Sequence, residues 1–163
     1  MIDFHDFYEQ YAPDVYRFVV RLSGDPIHAD DITAETFVRA WTGSGGKIKT
    51  TTAKAYLFTI ARNIYLEYLR KTQRETELTP DQGDRSPGPE EISEMENTFE
   101  IIQKGLARLS VIDKSAFLMR VEHEFPYEEI ARVLGISAAA ARVKVHRARL
   151  KLASLLYEPE KRV

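Results

Sequence analysis

Arg142, Val143, His146 and Arg147 fall on one face of a stretch with helical spacing, and Lys144, Arg149 and Lys151 flank that face. No acidic residue interrupts it from Ser137 to Tyr157. A slender helix with such a face fits the major groove of duplex DNA, where guanidinium forks can pair with base edges. A second polar stripe, Asn63, Glu67, Arg70 and Arg74, lies on another stretch of helical spacing, with Lys54, Tyr56, Arg62 and Lys71 close by. Cations beside polar and aromatic groups suit phosphates and an unstacked base. For that stretch alone, an ordinary amphipathic helix accounts for the pattern slightly better. A third group, Asp30, Asp31 and Glu35, forms an acidic face that reads as solvated surface or as a docking surface for a partner.

The first group needs a scaffold, and the residues before it supply one. Pro126 suits the first turn of a helix, where a missing N–H costs nothing. Ile130, Ala131 and Leu134 make a narrow apolar face. Gly135 follows where a left-handed cap is needed, and Ser137 is a good N-cap for the next helix. In that next helix Ala141, Val145, Ala148 and Leu152 recur at core spacing. Two helices joined by a short glycine turn are the helix-turn-helix signature. A charge run alone is usually a solvated face; the glycine turn, the serine cap and the unbroken basic face together argue for a binding face.

The other groups imply further helices. Phe4, Phe7, Tyr8 and Tyr11 form a stripe that Pro13 is expected to break, with Val15, Phe18, Val19 and Leu22 resuming it. Asp25 and Pro26 open a helix carrying Ala34, Phe37, Val38 and Trp41 on one face. A Gly, Ser, Thr and Lys loop, Thr42 to Thr52, precedes a long helix from Ala53 to about Arg74, with Leu57, Ile60, Ala61, Ile64 and Tyr68 inward. Glu75 to Glu96 is acidic and rich in proline and glycine, and reads as a linker. Beyond it, Phe99, Ile102, Leu106 and Leu109, then Ala116, Phe117 and Val121, line two more helices under the helix-turn-helix. The expected fold is all-α: two small helical bundles, residues 1–75 and 97–163, joined by a flexible acidic linker over 76–96.

The net charge of −2 over 163 residues hides strong segregation. Residues 47–75 hold seven basic and two acidic residues and residues 142–163 likewise, whereas residues 76–100 hold one basic and eight acidic. For nucleic-acid binding the local patch matters more than the total. Cysteine is absent, which removes disulfides, thiolate zinc sites and thiol redox chemistry and is compatible with a reducing cytoplasm. No apolar run approaches a membrane span, so a soluble cytoplasmic protein is expected, without membrane insertion. The four histidines have no metal-ligand spacing, and no phosphate loop or nucleophile motif occurs, so no enzyme, metal or cofactor is expected.

Motif by motif, the chain resembles bacterial RNA polymerase sigma factors of the extracytoplasmic function group. Tyr56-Leu57-Phe58-Thr59-Ile60-Ala61-Arg62-Asn63 is similar to the Trp-Leu-x-x-Ile-Ala-Arg-Asn of their region 2, and Ala29-Asp30-Asp31-Ile32 through Phe37 and Trp41 resembles their core-binding helix. Tyr127-Glu128-Glu129-Ile130-Ala131, Leu134-Gly135-Ile136-Ser137 and His146-Arg147-Ala148-Arg149 are similar to region 4. The resemblance implies that Asp30, Asp31, Glu35, Phe37 and Trp41 dock on the β′ clamp helices of core polymerase. It implies −10 recognition and melting by Lys54, Tyr56, Arg62, Asn63, Glu67, Arg70, Lys71 and Arg74. It further implies −35 recognition by Ser137, Arg142, Val143, Lys144, His146, Arg147 and Arg149, region 4 contact with the β-flap, and an anti-sigma partner. Tyr56 stands where the family often has Trp, and Ala34 where a Gln is common. The competing expectations are a stand-alone helix-turn-helix regulator with an N-terminal sensing or dimerisation domain, and a helical adaptor with no nucleic-acid role.

Overall fold

The computed structural model describes residues 3–78 and 98–157. These residues form seven helices and no strand. They are α1 (Phe4–Ser23), α2 (Pro26–Ser44), α3 (Ala53–Leu78), α4 (Thr98–Leu106), α5 (Val111–Val121), α6 (Tyr127–Leu134) and α7 (Ala138–Tyr157). The expected linker lies mostly outside the described residues, although α3 runs past Arg74 to Leu78, so residues 76–78 are helical.

Pro13 does not break α1. The helix is continuous through it, because Phe7, Tyr11, Val15, Phe18, Val19 and Leu22 bury one unbroken face on both sides of the proline. Pro13 itself is exposed, so the carbonyl whose hydrogen bond it forfeits lies on the solvent side. Asp25 caps α2 by accepting from the backbone N–H of Ile27 at 3.0 Å, with Pro26 in the first turn, as the sequence predicts. The inward face of α2 is rotated from the expected one. Ala29, Ile32, Thr33, Thr36, Phe37 and Ala40 are buried, while Ala34 and Val38 face out, because α2 packs between α1 and α3 and needs a wider apolar face than one stripe.

The second bundle forms around α7. Ala141, Val145, Ala148 and Leu152 are all buried, as their spacing predicts. Gly105 on α4 lets α7 cross close: a Cβ there would lie 2.5 Å from a Leu152 methyl. In α5 the expectation fails at Val121, which is exposed. The helix instead buries Asp113, Lys114, Ser115, Ala116, Leu118 and Met119, because it is covered on two sides, by α7 and by the first bundle.

The two bundles pack against each other along α1 and α3 on one side and α4, α5 and α6 on the other. The seam finishes α1. Gly24 at φ 74° turns its N–H back to the Val20 carbonyl, Gln103 donates to the Arg21 carbonyl at 3.2 Å, and the Lys114 ammonium donates to the Leu22 carbonyl at 2.8 Å. Carbonyls that a helix end leaves bare are thus satisfied by the other bundle. A cation at a helix C-terminus also meets the negative end of the helix dipole.

Replacing Pro13 by Ala restores the forfeited hydrogen bond in a helix that is already continuous through the site. The expected outcome is a gain of about 1–3 kcal/mol in urea unfolding of the full chain. No gain would mean that the packed aromatic face already absorbs the cost of the proline.

Candidate nucleic-acid interface

The helix-turn-helix is built from α6 and α7. Gly135 caps α6 at φ 69°, in the left-handed region that favours glycine, and its N–H donates to the Ala131 carbonyl. The Ser137 hydroxyl accepts from the backbone N–H of Ala140 at 3.0 Å, capping α7. Ser137 therefore serves the backbone of its own helix. With the core stripe of α7 buried, Arg142, Val143, His146, Arg147 and Arg149 all face outward, and Lys144 is half-buried.

Intramolecular partners orient the cations on this face. The Arg142 guanidinium lies 4.5 Å from the Tyr127 ring centre, and Arg120 stacks on the same ring at 4.3 Å. Arg147 donates from Nε and Nη2 to the two carboxylate oxygens of Asp113, both at 3.2 Å. Lys144 Nζ stands 3.8 Å from the same carboxylate. The sequence offers Tyr127 only as part of a family motif, with no role of its own, and gives no sign of a role for Asp113. Asp113 sits three residues after Ser110, whose hydroxyl accepts its backbone N–H, so its only local signal is that of a helix first turn.

The polar stripe on α3 divides in two. Asn63, Glu67, Arg70, Lys71 and Arg74 are exposed. Tyr56 is partly exposed, and its hydroxyl would stand 3.3 Å from a Cβ at Gly43, so that glycine leaves room for the ring. Glu67 is paired with Arg39 of α2 at 3.3 Å, and Arg39 also holds Glu35 at 2.6 Å. A cleft between α2 and α3 collects Asp31, Glu35, Arg39, Glu67 and Lys71, so two acids of α2 share one surface with two polar residues of α3. Asp30 lines a different cleft with Tyr8, Tyr16 and Thr33.

The upper half of α3 faces the second bundle. Arg62 donates from Nε to the Ser115 hydroxyl at 3.3 Å, and burial pulls its pKa below the usual guanidinium value. Lys54 pairs with Asp14 at 3.4 Å and stands over the Phe125 ring at 5.7 Å. Phe58 is fully buried against Phe18, His123 and Phe125. Tyr65 is buried too. Phe37 needs a further correction as a docking residue. It is fully buried against Phe7, with ring centres 5.3 Å apart, so its role is in the core. Trp41 is half-buried against Phe4 and Phe7 and keeps an exposed edge.

Among the described residues, no cluster of His, Asp and Glu could hold a metal, and no helix is long and apolar enough to cross a membrane. The sequence description Sigma-70 region 2 matches residues 7–75, and Sigma-70, region 4 matches residues 99–152. The chain is 31% identical to the ECF RNA polymerase sigma factor EcfG of Rhodopseudomonas palustris, covering 90% of this chain and 81% of that protein. It is 32% identical to the ECF RNA polymerase sigma factor SigE of Mycolicibacterium smegmatis over 90% of its own length, and spans 59% of that longer protein. Its fold is similar to the sigma factor RpoE of Bartonella quintana, solved in complex with the anti-sigma factor NepR. The TM-score is 0.78 at 26% identity, covering 91% of this chain and 93% of that one.

The seam also sets a pH dependence. His123 is buried edge-on to Phe58, and its Nε2 has no hydrogen-bond partner. Burial, then the nearby Lys54 and Arg17 charges, push its pKa down from 6.5 to about 4, with Asp14 opposing. The packed form therefore holds neutral imidazole. Its contribution is complete above pH 6.5 and is lost as pH falls from 6.5 towards 4. Between pH 7.5 and pH 5 the expected loss is about 2 kcal/mol in urea unfolding, absent in His123→Gln. Equal pH slopes for the two proteins would contradict this role for His123.

Proposed function

This chain belongs to the sigma-70 family as an RNA polymerase sigma factor of the extracytoplasmic function group, and from that membership we propose how its parts act at a promoter. Residues 1–75 act as region 2, residues 76–96 connect, and residues 97–163 act as region 4. The chain directs core polymerase to specific promoters and starts transcription there. It supplies recognition and no catalysis of its own, works in the cytoplasm, and joins the nucleoid when bound to polymerase.

The observation that carries this reading is the division of α7 into a fully buried stripe and an unbroken outward basic face. Arg142, Val143, His146 and Arg147 enter the major groove at −35, with Lys144 and Arg149 towards the phosphates. On α3, Tyr56, Asn63 and Glu67 meet the −10 strand, while Arg70, Lys71 and Arg74 follow its backbone. Asp30, Asp31, Glu35 and the exposed edge of Trp41 dock on the β′ clamp helices, and region 4 meets the β-flap. Capture of unpaired bases offsets the few kcal/mol of unpairing.

Geometry adds a condition. The −35 and −10 elements lie about 25 base pairs apart, roughly 85 Å along B-form DNA at 3.4 Å per pair. A compact chain of this length is only about 40 Å across, from its expected radius of gyration. The packed arrangement therefore cannot grip both elements, and it keeps Lys54 and Arg62 against the other bundle. Promoter engagement requires the bundles to part. Residues 79–97, at about 3.4 Å per residue when extended, can reach on the order of 65 Å. The packed form is also the form in which an anti-sigma partner would hold the chain, a reading supported by its likeness to the sigma factor solved with NepR.

In vitro transcription with core polymerase on genomic DNA, with mapped start sites, tests the assignment. Defined starts that depend on this chain are expected, and none would sink it. A stand-alone regulator would instead bind duplex DNA without core polymerase and would not co-purify with it. Arg147→Ala is expected to weaken use of a −35-dependent promoter by about 10- to 100-fold, the scale of one bidentate guanine contact. Equal transcription by the two proteins would remove Arg147 from the reading face.

A further inference from the structure

We propose that Asp113 is a positioning residue for promoter recognition: from beneath α7 it fixes Arg147 by one edge of the guanidinium and so presents the other edge to a guanine. The inference rests on the assignment of α7 to −35 recognition.

Asp113 is an acid out of place by ordinary rules, since carboxylates are seldom buried unless paired. It is only 4% exposed, in the first turn of α5, and packs under α7, a helix that carries no acid of its own. Its two oxygens accept from Nε and Nη2 of Arg147. That pairing uses the side edge of the guanidinium. It leaves both Nη1 hydrogens and one Nη2 hydrogen, the end edge of the fork, without a claim from Asp113. The end edge carries two parallel donors, the pattern that guanine O6 and N7 accept.

Arg147 is half exposed while its partner is buried, so the acid anchors the arginine and the arginine does not draw the acid outward. A free arginine loses much rotamer freedom when it binds a base; one already held has less to lose. Lys144 shares the same carboxylate at 3.8 Å and gains no defined edge from it, which fits a contact to phosphate.

The consequence is a split between specificity and affinity. Removing the negative charge frees two cations near DNA, so non-specific binding holds or rises. Removing the anchor lets the Arg147 fork rotate, so guanine preference falls.

The test is selection of duplexes randomised over the −35 hexamer, using the full chain with core polymerase. Comparing wild type with Arg147→Ala first identifies the position that Arg147 reads. If Arg147→Ala changes no base preference, the assignment of Arg147 fails and this inference goes with it. If Arg147→Ala erases a guanine preference, Asp113→Asn is expected to reduce that preference about ten-fold, with the other positions kept and non-specific duplex binding within two-fold of wild type or tighter. Adding Asp113→Asn to Arg147→Ala should then change nothing further at that position. Asp113→Glu, which keeps the charge, should retain most of the preference, and it carries the test if the Asn variant fails to fold. An unchanged guanine preference in Asp113→Asn overturns the proposal. So does equal flattening at all positions, which would mark a purely structural role, and so does a sharper preference, which would mean that Asp113 competes with the base for Arg147.

Discussion

The seam between the two bundles depends on one constraint: basic groups taken out of water must find an oxygen or give up their charge. Lys114 finds the Leu22 carbonyl, Arg62 finds the Ser115 hydroxyl, and His123 stays neutral between aromatic rings. An unpaired buried cation costs several kcal/mol, so these contacts decide whether the bundles can pack at all. They explain why the C-terminal end of α1 is completed by side chains from the second bundle. They also explain why Lys54 and Arg62 are half-buried while the rest of the α3 group stays exposed. The same residue types that suit DNA phosphates serve here as glue, and a group engaged in one role is withdrawn from the other.

A consistent economy runs through the recognition helix. Three of its five lysines and arginines are held by partners within the chain. Arg142 rests on Tyr127, and Arg147 and Lys144 converge on Asp113. On α2 and α3, Arg39 ties Glu35 to Glu67 in the same way, linking the acidic face of α2 to the polar stripe of α3. Long side chains carry large rotamer entropy, and holding them before DNA arrives lowers the cost of ordering them on binding. On the proposed reading, partner binding at α2 and base capture on α3 would share a surface, with Arg39 bridging the two helices.

What the sequence made legible follows from local periodicity. The buried stripe Ala141, Val145, Ala148 and Leu152, the Gly135 turn, the Ser137 cap and the Asp25–Pro26 start of α2 all appear where spacing and capping rules put them. The misses lie where distant segments meet. Arg62 and Ser115 are far apart in the chain, so nothing near Arg62 signals its burial, and a polar stripe looks solvated whether or not a second bundle covers it. Phe58 falls off the expected α3 stripe for the same reason: part of its cover comes from His123 and Phe125 of the other bundle. Pro13 misled because a helix rule about breaking was outweighed by a continuous buried face, and Phe37 because a family motif does not distinguish a residue that docks from one that supports the docking face.

On the proposed reading the chain has two arrangements, packed when alone and parted at the promoter. Pulsed spin-label distances between Gln73→Cys on α3 and Arg132→Cys on α6 test it most directly. Both positions are exposed, and the chain has no cysteine to interfere. A single narrow distribution is expected for the free protein, lengthening by tens of ångströms with core polymerase and promoter DNA. A broad distribution in the free protein, or the same short distance in the promoter complex, would contradict the account.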